Sequence, residues 1–129
     1  MAGMDFVPSV LVVDDFLTMR RIVRNQLEEI GFRDIDDAED GESALRKLRS
    51  KEFHLIISDW NMQPMTGLEF LKEVRADRRL KRLPFIMVTA ESKVENVKAA
   101  REAGVTNYII KPFTAEVLRK KIAASFAAA

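Results

Sequence analysis

The chain has 129 residues and a net charge of +1; 47% of its residues are hydrophobic, 32% are charged and none is cysteine. This length and composition predict one domain over residues 1–129 and exclude disulfides, zinc–thiolate sites and thiol catalysis, so any metal must be bound by oxygen ligands. The nearly balanced charge gives no general attraction to nucleic acid, and no apolar run approaches the ~20 residues of a membrane span, so we expect a cytoplasmic protein that binds neither.

Short apolar runs rich in β-branched residues alternate with segments of helical periodicity along the chain. Strong strand candidates lie at residues 10–13, 55–57, 85–88 and 108–110, with a weaker one at Ile35. Because these runs are continuously apolar, both faces of each strand are predicted to be covered. The repeated order of strand and helix predicts an α/β fold with an open parallel sheet and helices on both faces. Residues 1–8 are expected to be loosely ordered.

Capping and turn residues set the predicted helix boundaries. Thr66-Gly67-Leu68-Glu69 and Ser92-Lys93-Val94-Glu95 match the capping box, in which side chains satisfy the free N–H groups of the first turn. Gly31 and Gly104 are predicted to end helices. A final helix is predicted to follow the N-cap Thr114, and its inner face comprises Val117, Leu118, Ile122 and Phe126.

Polar residues stand directly after the predicted strands, whose carboxyl ends meet at the edge of the sheet where ligands bind. They are Asp14 and Asp15 after the first strand, Asp59 and Asn61 after the third, Thr89 after the fourth and Lys111 after the fifth. Three carboxylates at one edge would repel one another unless a cation lay among them, and such oxygen ligands suit Mg²⁺. Lys111 and Thr89 add an ammonium and a hydroxyl that fit the oxygens of a phosphoryl group.

Each of these residues also has an ordinary structural interpretation. Asp14 and Asp15 are typical of a helix N-cap, Thr89 of a strand end and Lys111 of a charged surface. Their joint placement, rather than any single residue, favours a metal- and phosphoryl-binding site.

The segments LVVDDF, MRRIVRN, ISDWNM, VTAE and KPF, in this order and spacing, closely resemble those of CheY-like chemotaxis response regulators. These are single-domain receivers of two-component systems, and the resemblance runs from about residue 10 to residue 126. It implies a doubly wound, five-stranded parallel sheet with strand order 2-1-3-4-5, in a flavodoxin-like three-layer sandwich.

The resemblance also implies a role for each residue of the site. Asp59 is the implied phosphoacceptor, Thr89 the hydroxyl that moves toward the phosphoryl group and Lys111 the ammonium that pairs with it. The implied cofactor is Mg²⁺, with the ligands Asp15, Asp59 and the backbone carbonyl of Asn61, and with Asp14 acting mainly through water. The protein would catalyse only its own phosphorylation and dephosphorylation, and we do not expect an enzyme in the usual sense.

The implied partners follow from the same resemblance. A chemotaxis-type histidine kinase would donate the phosphoryl group, a flagellar motor switch protein would bind the output face, a phosphatase is a further implied partner, and the chain is expected to be a monomer. Tyr108 would report the switch through its rotamer. The rest of the expected switch and partner face comprises Ala90, Glu91, Val94 and Val97. The Lys111-Pro112 peptide is implied to be cis.

The chain departs from this family in two places. The proline after the phosphoacceptor is shifted by one position to give Gln63-Pro64, and Thr66 replaces an aspartate, which puts the loop geometry and the phosphorylation rates in doubt. Val94 stands where the best-known relatives carry lysine, so partner choice is open. Trp60, directly after Asp59, is expected to be a half-exposed neighbour of the site. His54, before the third strand, is expected to be a structural or surface residue.

Several alternative functions are weighed against this one. An FMN binder of the same fold is disfavoured because Asp14 and Asp15 would repel the cofactor phosphate, and an Mg²⁺-dependent aspartyl-phosphate phosphatase lacks an acid/base carboxylate two residues after its nucleophile. A phosphate sink, or a receiver domain of a larger regulator, remains open. The basic clusters are interpreted as solvated surface: Arg20, Arg21 and Arg24, and Arg75, Arg78, Arg79, Lys81 and Arg82.

Overall fold

The structure is a computed structural model that describes residues 7–90 and 92–128, so most of the N-terminal segment predicted to be loosely ordered lies outside it. Five strands and five helices alternate: β1 Ser9–Val13, α1 Leu17–Ile30, β2 Asp34–Ala38, α2 Gly41–Ser50, β3 Leu55–Asp59, α3 Gly67–Ala76, β4 Phe85–Thr89, α4 Val94–Glu102, β5 Asn107–Ile110 and α5 Ala115–Ala128. All strand pairs are parallel, and the order β2-β1-β3-β4-β5 confirms the predicted doubly wound topology.

The sheet separates two apolar clusters. Successive residues of β1 point to opposite faces, so Val10 and Val12 join one cluster and Leu11 and Val13 the other. The first cluster includes Val23 and Leu27 of α1 and Leu118 and Ile122 of α5; the second includes Leu45 and Leu48 of α2 and Phe70, Leu71 and Val74 of α3. Burial on both faces confirms the prediction for β1, β3 and β4, whose residues are all buried. For β5 the prediction is wrong, because this strand forms an edge of the sheet and Ile110 is 40% exposed. Among the described residues, no helix has the length and apolar character needed to cross a membrane.

The helix ends agree with the sequence in all but one case. Thr66 and Glu69 form the predicted capping box of α3, Gly31 follows α1 with a φ of 122°, and Gly104 follows α4 with a φ of 97°. The hydroxyl of Thr114 accepts a hydrogen bond from the backbone N–H of Val117 at 3.2 Å, as expected of an N-cap.

The predicted capping box at Ser92 is wrong. The extended residue before α4 is Lys93, and no side chain caps the helix. Ser92 therefore lies one residue too early for its hydroxyl to reach the N–H groups of the first turn.

The inner face of α5 is narrower than predicted. Leu118 and Ile122 are buried and Phe126 packs against them, whereas Val117 is 40% exposed. Positions 118, 122 and 126 follow the four-residue spacing of one helix face, and residue 117 is rotated away from it by about 100°.

Arg75, predicted as solvated surface, is instead half-buried. Arg75 donates hydrogen bonds to the backbone carbonyls of Gly104 at 2.9 Å and Leu83 at 2.7 Å, and also to Lys81 and Thr106. Burial lowers its pKa. A guanidinium presents five donors and can join several loops at once, which a pattern of basic residues does not reveal. The remaining basic residues of this cluster, Arg78, Arg79, Lys81 and Arg82, are exposed as expected.

His54 has the predicted structural role. Its side chain is half-buried, and Nδ1 accepts a hydrogen bond of 3.0 Å from the backbone N–H of Ser9 at the start of β1. This contact fastens the residue before β3 to its neighbouring strand.

Candidate functional site

The register of the sheet brings the predicted polar residues to one edge. Val13 pairs with Ser58, so Asp14 follows β1 beside Asp59 at the end of β3. Thr89 ends β4, and Lys111 directly follows β5. Residues that are up to 97 positions apart in the sequence thus meet because parallel strands all end at the same side.

Three carboxylates form a compact acidic cluster at this edge. One oxygen each of Asp14, Asp15 and Asp59 lies within 4.8 Å of the others. Asp14 and Asp59 are only 4% and 7% exposed, whereas Asp15 faces solvent. Burial, assisted by the neighbouring charge of Asp59, raises the pKa of Asp14 to about 6. Burial also raises the pKa of Asp59, and the nearby charge of Lys111 opposes this rise.

Backbone N–H groups and one ammonium orient two of these carboxylates. Asp14 accepts a hydrogen bond from the N–H of Phe16 at 2.9 Å, and Asp59 accepts one from the N–H of Trp60 at 2.9 Å. Lys111 Nζ lies 3.3 Å from Asp59 Oδ1 and 3.9 Å from Asp14 Oδ2. The two buried carboxylates therefore share the ammonium of Lys111.

Thr89 and Asn61 occupy opposite environments at the site. The side chain of Thr89 is completely buried, and its backbone carbonyl accepts a hydrogen bond of 2.8 Å from the N–H of Lys111. Asn61 is exposed and, with Asp15 and Trp60, lines a cleft of about 570 Å³. The cleft opens the acidic cluster to solvent at Asp15.

The donor set fits a divalent cation. The cluster contains two buried carboxylates with raised pKa values and a third carboxylate close to them. A divalent cation that prefers oxygen ligands would stabilise their charged forms. Mg²⁺ binds carboxylates and retains water, and the open cleft leaves room for that water.

The structure describes four of the five residues expected to form the switch and partner face. The ring of Tyr108 is half-buried and meets the ring of Trp60 edge-on, with 6.4 Å between centroids. Ala90 is exposed, Val94 is 79% exposed and Val97 is half-exposed. Glu91 lies outside the described residues. Trp60 is half-buried beside the site, as predicted.

The loop between β3 and α3 contains two of the departures from the family pattern, Gln63-Pro64 and Thr66. Lys111-Pro112 is cis as implied by the resemblance, and Gln63-Pro64 is a second cis peptide that the sequence did not indicate. Thr66 still caps α3, so its replacement of aspartate preserves the start of this helix.

The sequence missed two residues that border the site. Arg20, predicted as solvated surface, has a side chain only 13% exposed and forms an ion pair with Asp37 at 3.1 Å. It also donates a hydrogen bond to the backbone carbonyl of Asp14 at 2.7 Å. The correction has a physical cause: β2 places Asp37 next to the start of α1, and only the fold brings the two together.

Comparison with known proteins places this geometry in a family. Residues 10–123 match the response regulator receiver domain. The chain is 52% identical over 113 residues to the chemotaxis protein CheY of Pseudomonas aeruginosa, covering 88% of this chain and 91% of that protein. It is 50% identical over 113 residues to CheY-3 of Vibrio cholerae, covering 88% and 87%.

Solved structures agree with this sequence relationship. The chemotaxis response regulator CheY4 of Vibrio cholerae superimposes with a TM-score of 0.86 at 37% identity, over 93% of this chain and 99% of that chain. The sheet order, the acidic edge and the similarity in sequence lead to one assignment. The chain belongs to the response regulator receiver domain family and is a CheY-like member of it.

Proposed function

We propose that this receiver accepts a phosphoryl group on Asp59 from the phosphohistidine of a chemotaxis histidine kinase and thereby changes its affinity for a flagellar motor switch protein. The observation that carries the proposal is the ammonium of Lys111 at 3.3 Å from Asp59 Oδ1, at the edge of the acidic cluster. Receiver domains of this type are signalling proteins rather than turnover enzymes, so the chemistry acts on the protein itself.

The proposed transfer is an exchange of one bond for another. A carboxylate oxygen of Asp59 forms a bond to phosphorus, the bond between phosphorus and the donor imidazole breaks, and its electron pair remains on the imidazole nitrogen. Transfer of this kind depends on positioning and on neutralising the charge of the moving group. Lys111 supplies a positive charge to the phosphoryl oxygens, and the Thr89 hydroxyl supplies a hydrogen-bond donor. Water later hydrolyses the acyl phosphate and releases inorganic phosphate.

The proposed cofactor is Mg²⁺, since receiver domains bind it at an acidic site and the cluster supplies suitable oxygens. Asp15, Asp59 and the backbone carbonyl of Asn61 would hold it, with Asp14 acting through water. When bound, it neutralises negative charge on the carboxylates and on the phosphoryl oxygens.

The proposed output runs from Thr89 to Tyr108 and the surface of α4. Movement of the buried Thr89 side chain toward the phosphoryl group vacates space that the half-buried ring of Tyr108 can occupy. The partner face comprises Ala90, Glu91, Val94 and Val97. The two states must differ by only a few kcal/mol for one modification to shift their populations.

The remaining partners are proposed from the relationship to chemotaxis proteins. Histidine kinase and motor switch protein are the partner classes that CheY relatives imply. We propose in addition that a phosphatase shortens the signal, that the protein is a monomer and that it acts in the cytoplasm.

The phosphoacceptor is tested by Trp60 fluorescence during titration with Mg²⁺ and then with beryllofluoride, which mimics an aspartyl phosphate. Wild-type protein is expected to give a saturable response to each, and Asp59→Asn is expected to abolish the second response. Glu28→Gln, the same change of carboxylate to amide on the exposed side of α1, serves as the matched control and should respond like wild type. A beryllofluoride response that survives Asp59→Asn would contradict the assignment.

The output is tested separately by measuring affinity for a peptide of a flagellar motor switch protein with and without beryllofluoride. Tighter binding in the beryllofluoride state is expected. Unchanged affinity in a protein that does bind beryllofluoride would leave phosphate storage as the function and remove the motor from the proposal.

A further inference from the structure

Arg20 connects the backbone of Asp14, just after β1, to Asp37 of the neighbouring strand β2. Arg20 lies in the first turn of α1, and its side chain is 13% exposed. Nε pairs with Asp37 Oδ2 at 3.1 Å, and Nη1 donates to the backbone carbonyl of Asp14 at 2.7 Å. One guanidinium thus joins the last part of β2 to the peptide between two residues of the acidic cluster.

Both backbone groups of Asp14 are hydrogen-bonded, and so the two peptide units on either side of its Cα atom are held. The N–H of Asp14 donates to the carbonyl of Ala38 at 3.1 Å, while the Asp14 carbonyl accepts from Arg20. That carbonyl belongs to the same planar peptide unit as the N–H and Cα of Asp15, so fixing it restricts where the Asp15 side chain can start. Asp15 is the exposed member of the cluster.

We propose that Arg20, oriented by Asp37, is a positioning residue that holds the Asp14–Asp15 peptide so that both carboxylates face Asp59 and a divalent cation. The inference rests on the proposed function only for the identity of the cation. Groups that hold metal ligands from outside the ligand shell commonly change metal affinity about 10–100-fold when they are removed. The charge of Arg20 is paired with Asp37, which reduces its repulsion of a cation in the cluster.

The direction in which Mg²⁺ affinity changes distinguishes a positioning role of Arg20 from a purely electrostatic one. If Arg20 acted only as a positive charge near the site, Arg20→Met would strengthen Mg²⁺ binding, because a repulsive cation is removed. If it positions the loop, Arg20→Met weakens Mg²⁺ binding, and we expect about tenfold. Mg²⁺ alone is titrated against Trp60 fluorescence. Arg21→Met removes the same charge from the neighbouring exposed residue and is the matched control.

Asp37→Asn provides a second variant that keeps the size of the side chain. It removes the charge that orients Arg20 and is expected to weaken Mg²⁺ binding in the same direction. Because Asp37 acts through Arg20, the double variant should bind Mg²⁺ no more weakly than Arg20→Met alone. Far-UV circular dichroism and urea unfolding establish that each variant is folded. If Arg20→Met does not fold, Arg20→Lys carries the test: it keeps the positive charge but loses the planar fork of donors, so weaker Mg²⁺ binding is expected from positioning and unchanged binding from charge alone.

The outcomes distinguish this inference from the function on which it rests. Unchanged or tighter Mg²⁺ binding in folded Arg20→Met, or additive losses in the double variant, overturns the positioning role while the phosphoacceptor proposal stands. A wild-type protein that binds no Mg²⁺ overturns both. Weaker binding in Arg20→Met and Asp37→Asn, with Arg21→Met close to wild type, supports the inference.

Discussion

Gly67 lies against the backbone of Asp59, so closely that a Cβ atom on Gly67 would come within 2.1 Å of the Asp59 carbonyl oxygen and 2.7 Å of the Trp60 Cα. The N–H of Gly67 donates to the carbonyl of Trp60 at 2.8 Å. The first residue of α3 is therefore packed directly on the chain that carries the proposed phosphoacceptor.

Gly67→Ala is expected to destabilise the fold by about 3 kcal/mol and to shift the site, because backbone atoms cannot move aside as a flexible side chain can. Urea unfolding measures the free energy, and the Mg²⁺ titration of Trp60 fluorescence measures the site. Gly31→Ala is the control: its φ of 122° makes alanine unfavourable by about 1–2 kcal/mol, but nothing lies within 4 Å of its Cβ. Equal Mg²⁺ affinities in the two variants would contradict the close contact.

Lys111→Met is expected to weaken beryllofluoride binding at least tenfold. The ammonium lies 3.3 Å from Asp59 Oδ1, and a hydrogen bond to a charged group contributes about 1.5–3 kcal/mol. Mg²⁺ binding should become tighter, since a competing positive charge is lost. Both affinities are read from Trp60 fluorescence, and Lys120→Met on the exposed side of α5 is the control. Unaltered beryllofluoride affinity would show that Lys111 is not the anion-binding group.

Asp40→Ala is expected to destabilise the protein by about 0.5–2 kcal/mol at neutral pH, because the carboxylate of Asp40 caps α2 by accepting from the N–H of Ser43 at 2.7 Å. This hydrogen bond lowers the pKa of Asp40. A carboxyl group with a lowered pKa in the folded state contributes stability above its unfolded pKa and loses it as pH falls through the folded value.

The difference between wild type and Asp40→Ala should therefore shrink below about pH 4, where the unfolded aspartate begins to bind protons. Urea unfolding followed by circular dichroism at pH 7 and in acid measures this. Asp40→Asn keeps a capping oxygen that does not titrate, so its difference from Asp40→Ala should stay nearly constant with pH. A difference between wild type and Asp40→Ala that grows in acid would contradict the assigned cap.

Arg75→Met is expected to cost about 2–3 kcal/mol of stability, because it leaves several backbone carbonyls without their charged donor. Its hydrogen bonds reach Lys81, Leu83 and Gly104 and so join the end of α3 to the connections before β4 and β5. Urea unfolding of Arg75→Met is compared with that of Arg78→Met, an exposed neighbour for which less than about 0.5 kcal/mol is expected. A similar loss of unfolding free energy in the two variants would show that Arg75 is an ordinary solvated surface residue.

The apolar pattern of the sequence predicts four of the five strands clearly and the remaining one only weakly. Four apolar runs mark β1, β3, β4 and β5. The first three are buried on both faces and so need apolar side chains at successive positions, whereas β5 is an edge strand that is only partly buried. The second strand, Asp34–Ala38, gives only a weak signal since it contains three aspartates. It pairs with β1 alone and forms an edge of the sheet, where its polar side chains reach solvent.

The acidic edge was predictable for a related reason. Asp14, Asp59, Thr89 and Lys111 are recognisable because each stands at or directly after a strand, and parallel strands bring their carboxyl ends to one side. Their distances and the burial of Asp14 and Asp59 were not predictable, since these depend on register and on the helices that cover the sheet.

The sequence by itself determined the alternation of strands and helices, most helix ends and the residues of the acidic edge, because periodicity, caps and strand ends are signals that a few adjacent residues carry. Only the tertiary structure decided which basic residues leave the surface. Arg20 meets Asp37 across 17 positions, and Arg75 meets Gly104 across 29. A guanidinium takes whichever acceptors the packed elements bring to it, and that choice is made when the chain has folded.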